Sequence, residues 1–267
     1  MNLWEAVLLG IIQGLTEFLP VSSSGHIELG KVILNTQFEE DLLFSVVVHF
    51  ATTLSTIVIF WKTILQVIKG LFKFQLNEET KFVLLIALSM IPIFILGVFF
   101  KDAIEQLFAG NVLLVGSMLL CTGGVLLLAH TLEQTEKAGD ISPVKAFIIG
   151  VAQAIAVLPG ISRSGATIAA ALILKVEREQ AARFSFLMVI PPILGATLLE
   201  LKDYLEIASP ATQNATTPLA AGFVAAFVTG AFACQWMIKI VKKGKLSYFA
   251  VYCISVGIIA IVYHSLV

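Results

Sequence analysis

The amino-acid sequence predicts an all-α polytopic membrane protein. It has six transmembrane helices plus two re-entrant helix pairs, in an inverted-topology repeat that forms one membrane domain over 1–267. Three observations predict this. The chain is 58% hydrophobic and 13% charged, where a soluble domain carries ~25% charged residues. Two apolar regions are broken in the middle by Pro-Ser-Gly clusters. The scarce polar and glycine residues recur after a shift of 140 positions. The net charge of −1 provides no global field to hold nucleic acid.

A spanning helix needs ~20 mainly apolar residues. The stretches 41–60, 82–100, 110–130, 184–201, 218–241 and 247–265 meet that requirement. The regions 1–34 and 146–176 do not, because Pro20–Gly25 and Pro159–Gly165 divide each into halves too short to cross. Irregular backbone at membrane depth persists only inside protein or beside a wet cavity, so each region is expected to enter and return on one side. Met90-Ile91-Pro92 and Pro191-Pro192 are expected to kink their helices. The N-terminus lacks the basic segment and cleavage site of a secretory signal, so the first apolar run is expected in the mature chain. Cys121, Cys234 and Cys253 lie in apolar runs without metal-ligand spacing and are expected to be small buried residues.

The repeat rests on residue types that are rare here. A shift of 140 aligns Gly10 with Gly150, Gln13 with Gln153, Ser22 with Ser162, Ser24 with Ser164 and Gly25 with Gly165. It also aligns Ser45 with Ser185 and Lys62 with Lys202, while Pro20 and Pro159 fall one residue out of step. Repeat one covers about 1–130 and repeat two about 146–267. Each holds a re-entrant pair and three spans. Three is odd, so the second copy enters from the opposite side, an arrangement common in transporters. Lys62, Lys69, Lys73 and Lys81 follow the first span, and Lys239, Lys242, Lys243 and Lys245 precede the last. The positive-inside rule makes both clusters cytoplasmic, which places both termini outside and opens the first pair outward.

The first interruption carries Gln13, Glu17, Ser22, Ser23, Ser24, Gly25 and His26. Gln13 and Glu17 share a helix face at i, i+4. A carboxylate at membrane depth is costly and points to function. Pro20 ends the helix, and the serines with Gly25 begin another, whose N-terminus suits phosphate. The second interruption carries Ser162, Arg163, Ser164, Gly165 and Thr167. Arg163 is the counterpart of Ser23 and offers a planar fork of donors for phosphate oxygens. Val157 and Ala166 stand at the positions of Glu17 and His26. One half therefore brings acid, hydroxyl and imidazole, and the other brings an anion clamp. His49 lies within a span, and function and packing are equally consistent with it. Glu17 and Gln13 beside phosphates suggest a bridging divalent cation, Mg²⁺ or Ca²⁺ for such oxygen ligands. His26 or a serine could act as nucleophile or acid–base partner.

Across its whole length the chain resembles the bacterial undecaprenyl-diphosphate phosphatase family of the BacA/UppP type, linked to bacitracin resistance. The resemblance is carried by Gln13-x-x-x-Glu17, by Phe18-Leu-Pro-Val-Ser-Ser-Ser-Gly-His26 and by Pro159-Gly-Ile-Ser-Arg-Ser-Gly-Ala-Thr167. It implies removal of the terminal phosphate of undecaprenyl diphosphate, which recycles the lipid carrier for cell-wall synthesis. It implies a divalent cation, a homodimer among membrane lipids of the bacterial cytoplasmic membrane, and a site facing the periplasm or outside. By position, Glu17 matches the family's catalytic glutamate, Ser23 and His26 its hydroxyl–imidazole pair, and Arg163 its phosphate-binding arginine. Ser162 and Thr167 match neighbouring polar positions. Many members carry Glu in place of Gln13, so a more weakly held metal or a more auxiliary role for this residue is expected here. The rival expectation is a transporter or flippase for polyprenyl phosphate.

Overall fold

The computed structural model describes residues 2–34, 41–100, 111–132, 138–207 and 216–266. Twelve helices are found among them. These are α1 (Leu3–Phe18), α2 (Ser23–Leu34), α3 (Asp41–Ile59), α4 (Trp61–Leu71), α5 (Glu78–Phe99), α6 (Val112–Leu132), α7 (Pro143–Ile155), α8 (Arg163–Ile173), α9 (Arg178–Met188), α10 (Ile190–Ile207), α11 (Thr216–Lys242) and α12 (Ser247–Leu266).

The ends of these helices follow local chemistry. Asn2 and Glu5 form a reciprocal capping box at the start of α1. Pro20 lacks the N–H a continuing helix needs, and α1 stops at Phe18. Ser142 caps α7, with Pro143 at its first position, where a missing N–H costs nothing. Asn77 caps α5, which continues through Pro92 to Phe99.

Among the described residues, five helical runs are individually long and apolar enough to cross a membrane: α5, α6, Arg178–Leu199, α11 and α12. The sixth expected span, 41–60, qualifies only together with α4, across a 75° bend at a short break. The cause lies in α4. Lys62, Gln66 and Lys69 recur at helical spacing, giving a polar face that favours an interface over hydrocarbon. The span expected at 184–201 begins earlier, at Arg178, and breaks at Val189 just before Pro191-Pro192.

Both interrupted regions form helix pairs, α1 on α2 and α7 on α8. The first helix of each pair packs against a span from the other half of the chain, α1 on α11 and α7 on α5. The glycines explain how closely these helices approach. A Cβ on Gly14 would stand 2.6 Å from Ala226 O, and one on Gly150 would stand 2.3 Å from Ser89 O. At the centre α6 crosses α12 with Gly116 against Gly257. Small residues at such crossings let backbones touch where lipid offers no hydrophobic drive. Cys234 and Cys253 are buried as expected, but Cys121 is exposed on the outer side of α6.

Candidate active site

The two breaks, 19–22 and 156–162, meet tip to tip. A Cβ on Gly25 would stand 3.1 Å from Gly160 Cα, and one on Gly165 would stand 3.2 Å from Pro20 Cβ. Ser164 Oγ donates to Leu19 O at 3.1 Å across the junction. Each tip is also braced from a long helix. Thr122 Oγ1 of α6 donates to Gly160 O at 3.1 Å, and Cys253 Sγ of α12 donates to Pro20 O at 3.4 Å. The following helices start alike. Gly25 N donates to Ser22 Oγ at 3.2 Å, and Gly165 N to Ser162 Oγ at 3.1 Å. The turns themselves differ. The left-handed residue is Ser22 (φ 69°) in the first and Gly160 (φ 97°) in the second, which puts the two prolines out of step.

Glu17 is the hub. It sits on the last turn of α1 and its side chain is 5% exposed. Gln13 Nε2 donates to its Oε2 at 2.9 Å, one helical turn back. Ser23 Oγ, at the start of α2, donates to the same oxygen at 2.7 Å. The Arg163 guanidinium, at the start of α8, pairs with Oε1 through Nη2. His49 of α3 brings Nε2 to 3.7 Å from Oε2. A carboxylate this deep needs such partners, because an unpaired buried charge is strongly unfavourable. Gln13 is fully buried, and among the described residues nothing hydrogen-bonds its Oε1.

A small cleft opens beside the ion pair, lined by Thr52, Thr53 and Thr56 of α3 and by Ser164, Thr167 and Ser185. The predicted residues distribute unevenly around it. Glu17, Arg163, Ser164 and Thr167 line the cleft. Ser23 reaches the site through Glu17. Ser22, Ser24, Gly25 and Ser162 instead build the turns: Ser22 and Ser162 are caps, Ser24 Oγ lies 3.4 Å from Ser22 Oγ, and Gly25 is the contact between tips. Thr167 donates to Arg163 O at 2.8 Å and bonds the Ser185 hydroxyl. His26 is turned to a different neighbour. Its Nδ1 lies 2.8 Å from Ser22 O, its Nε2 lies 2.8 Å from Tyr252 Oη, and the two rings stack at 9°.

Reading the sequence missed Thr52, Thr53, Thr56, Ser185 and Tyr252. A signal existed for α3: Ser45, His49, Thr52, Thr53 and Thr56 fall on one helical face of an otherwise apolar span. Nothing in the sequence pairs Tyr252 with His26.

The oxygens around Glu17 fit a divalent cation. The Glu17 carboxylate, the neighbouring Gln13 amide and the Ser23 hydroxyl supply hard oxygen donors close together. Among the described residues no group of three acids, histidines or cysteines is placed to hold a metal ion, so such a site would need other oxygen donors such as the Gln13 amide.

Apolar helices around an interior carboxylate, guanidinium and hydroxyl row define an integral membrane protein with a polar reaction chamber. The model of the family described as bacitracin resistance protein BacA matches residues 6–259, and the chain belongs to that family. It is 53% identical over 261 residues to an undecaprenyl-diphosphatase of Parabacteroides distasonis, with 98% of each chain covered. It is 54% identical over 265 residues to one from Christiangramia forsetii, again with 98% of each covered. A more distant relative of the same name, from Methanosphaera stadtmanae, is 39% identical over 280 residues, with 98% of each covered.

Proposed function

We propose that the protein hydrolyses undecaprenyl diphosphate to undecaprenyl phosphate and inorganic phosphate, recycling the lipid carrier for cell-wall synthesis. The observation that carries this is the convergence of Ser23 and Arg163 on Glu17. A nucleophile, a base and an anion clamp are thereby assembled beside a cleft inside the membrane domain.

Each residue has a distinct task. Arg163 and the first turn of α8 hold the terminal phosphate and counter the charge that builds up on it. Thr167, Ser164 and the α3 threonines provide hydroxyls along the cleft. Glu17 takes the Ser23 proton as Ser23 Oγ attacks the terminal phosphorus. The anhydride P–O bond breaks and undecaprenyl phosphate leaves. Water then displaces Ser23, releasing inorganic phosphate and restoring the hydroxyl. His26, held by Ser22 O and Tyr252, is placed to manage a proton rather than to attack. A divalent cation, Mg²⁺ or Ca²⁺, held by Glu17 and Gln13 would supply further charge stabilisation when bound.

The protein belongs in the bacterial cytoplasmic membrane, with both termini and the active site on the periplasmic or outer side. The inverted repeat is supported by the matched caps and braces of the two tips. The orientation is supported by contacts that bring the two lysine clusters to one end. Lys242 Nζ meets Glu179 Oε1 at 2.9 Å, and further along α9 the Arg183 guanidinium lies 5.1 Å from the Phe82 ring, next to Lys81. A homodimer is proposed from the family resemblance alone.

The test is phosphate release from a prenyl diphosphate by purified protein in detergent. Divalent-cation-dependent release, abolished by Glu17→Ala and by Arg163→Ala, is the expected result. No release with any cation, alongside movement of polyprenyl phosphate across liposomes, would overturn the hydrolase in favour of a flippase.

A further inference from the structure

Helix α4 is built unlike the spans around it. With ~3.6 residues per turn, Lys62, Gln66 and Lys69 fall on one narrow arc, and Lys73 continues it in the turn that follows. Trp61, Ile68 and Phe72 fall on the neighbouring arc, and all three are exposed. A third side rests on α5, where a Cβ on Gly70 would stand 2.4 Å from Glu79 Cβ. The turn after α4 is held firmly. Asn77 Nδ2 donates to Gly70 O at 2.9 Å, and Thr80 Oγ1 donates to Gln75 O at 2.9 Å. Within it Phe74 takes a left-handed backbone (φ 50°), a costly choice for a bulky residue, and is 90% exposed.

Neither water nor hydrocarbon suits this surface. Water would leave Trp61, Ile68, Phe72 and Phe74 exposed without gain. Hydrocarbon would strip three ammonium groups of their hydration. The boundary between the two suits both arcs, because lysine stems lie along apolar surface while their ends reach the headgroups. Charge then selects among lipids. Lys81 is held by Glu78 at 2.8 Å, whereas no carboxylate among the described residues pairs with Lys62, Lys69 or Lys73. A zwitterionic headgroup brings its own ammonium, which opposes three lysines on one arc. An anionic headgroup brings the net charge they lack. A free anion would use the lysines and leave the apolar arc uncovered.

We propose that α4 and the turn after it form a binding surface for anionic phospholipid. Lys62, Lys69 and Lys73 hold the headgroup phosphates, and Trp61, Ile68 and Phe72 meet the acyl chains. The 75° bend that separates α3 from α4 serves this surface, since it turns the lysine arc out of the span and along the headgroups. The site is separate from the cleft at Glu17 and does not depend on the reaction proposed there.

The experiment reads lipid identity at Trp61. Trp4→Phe with Trp236→Phe, both at exposed positions, leaves Trp61 as the single tryptophan. The full chain is placed in nanodiscs of phosphatidylglycerol and phosphatidylcholine. Either lipid carries bromine on its acyl chains, at the same mole fraction in each set. Brominated phosphatidylglycerol is expected to quench Trp61 more strongly, corresponding to about fivefold preferred occupancy, the effect of one lysine near an anionic headgroup. The preference should shrink at high salt, because these charges are exposed. It should vanish when Lys62→Gln, Lys69→Gln and Lys73→Gln are combined, and persist when Lys239→Gln and Lys243→Gln are combined. Equal quenching by the two lipids in the lysine-intact chain would overturn the proposal. So would a preference that survives loss of the three lysines. Quenching by neither lipid would mean that protein, a second copy of the chain included, covers α4, and would overturn it as well. The comparison in the lysine-intact chain decides the matter even if the triple variant does not fold.

Discussion

Ser23 and Arg163 stand 140 residues apart, each the first residue of its helix, and both end on the carboxylate of Glu17. Equivalent positions in two hairpins have taken up complementary chemistry at one point. The hydroxyl meets one carboxylate oxygen and the guanidinium the other, so Glu17 joins the proposed nucleophile to the proposed phosphate clamp.

The ion pair should be as important to folding as to turnover. Arg163→Ala is expected to cost about 3–5 kcal/mol of stability, because it leaves Glu17 buried and uncompensated. The double variant Glu17→Gln with Arg163→Ala should recover part of that loss while remaining inactive. Thermal unfolding in detergent, compared across wild type, Glu17→Gln, Arg163→Ala and the double variant, checks it. Additive losses would show that the two side chains do not interact.

Ser23→Ala and His26→Ala should separate in kinetics. Loss of the attacking hydroxyl is expected to reduce kcat by more than about 10⁴, and loss of a proton-handling imidazole by about 10²–10⁴. Phosphate release under saturating prenyl diphosphate measures both. The reverse order would assign the attack to His26.

Tyr252→Phe keeps the stacked ring and removes only the hydroxyl at His26 Nε2. One hydrogen bond of about 1 kcal/mol predicts a loss of roughly five- to tenfold in kcat, with KM little changed. The pH dependence of kcat should shift as well, since the hydroxyl biases the protonation of that nitrogen. An unchanged pH profile would make the tyrosine a packing residue only.

The junction of the tips should resist the smallest enlargement. Gly160 has φ 97°, and a Cβ there would lie 2.5 Å from Val115 O. Gly160→Ala is expected to destabilise by about 2–4 kcal/mol through backbone strain and overpacking. At Gly97 a Cβ would meet nothing within 4 Å. Gly97→Ala should therefore be neutral or stabilise by up to about 1 kcal/mol. Unfolding midpoints of the two variants make the comparison.

Orientation can be checked with a cysteine-free background carrying one cysteine at Lys73 or Lys243. Both positions should react with an impermeant thiol reagent only after the cells are opened. Labelling of either in intact cells would overturn the proposed orientation.

The architecture was largely legible because lipid imposes a crude rule. Length and apolarity located the spans, and the clusters Pro20–Gly25 and Pro159–Gly165 marked where helices had to break. The bend after Ile59 was harder to read, since Trp61–Leu71 is apolar on one face and continues the hydrophobic run without a break. Within the site, Glu17 and Arg163 stood out because charge at membrane depth has few explanations. His49 and the threonines of α3 did not, because their role depends on which helix faces them, a fact of packing between distant segments. Ser22, Ser162 and Gly25 suit an anion by residue type, and in the structure they also make the bonds of the turns. The same residue types make caps and phosphate cradles, and only the fold distinguishes the two uses.

The pairing of Glu17 with Arg163 also has a consequence for biogenesis. At ~5–20 residues per second, a ribosome makes the first hairpin roughly 7–30 s before the arginine exists, because about 145 residues separate the two. Through that interval the carboxylate enters the bilayer without its counter-charge. It must stay wet or bind a proton until the second hairpin inserts. A chain truncated after Ser142 should therefore be retained in membranes better with Glu17→Gln than with Glu17. In the full-length chain the same substitution should give no such advantage. Equal retention of the two truncated chains would mean that the first hairpin has found another partner for its acid.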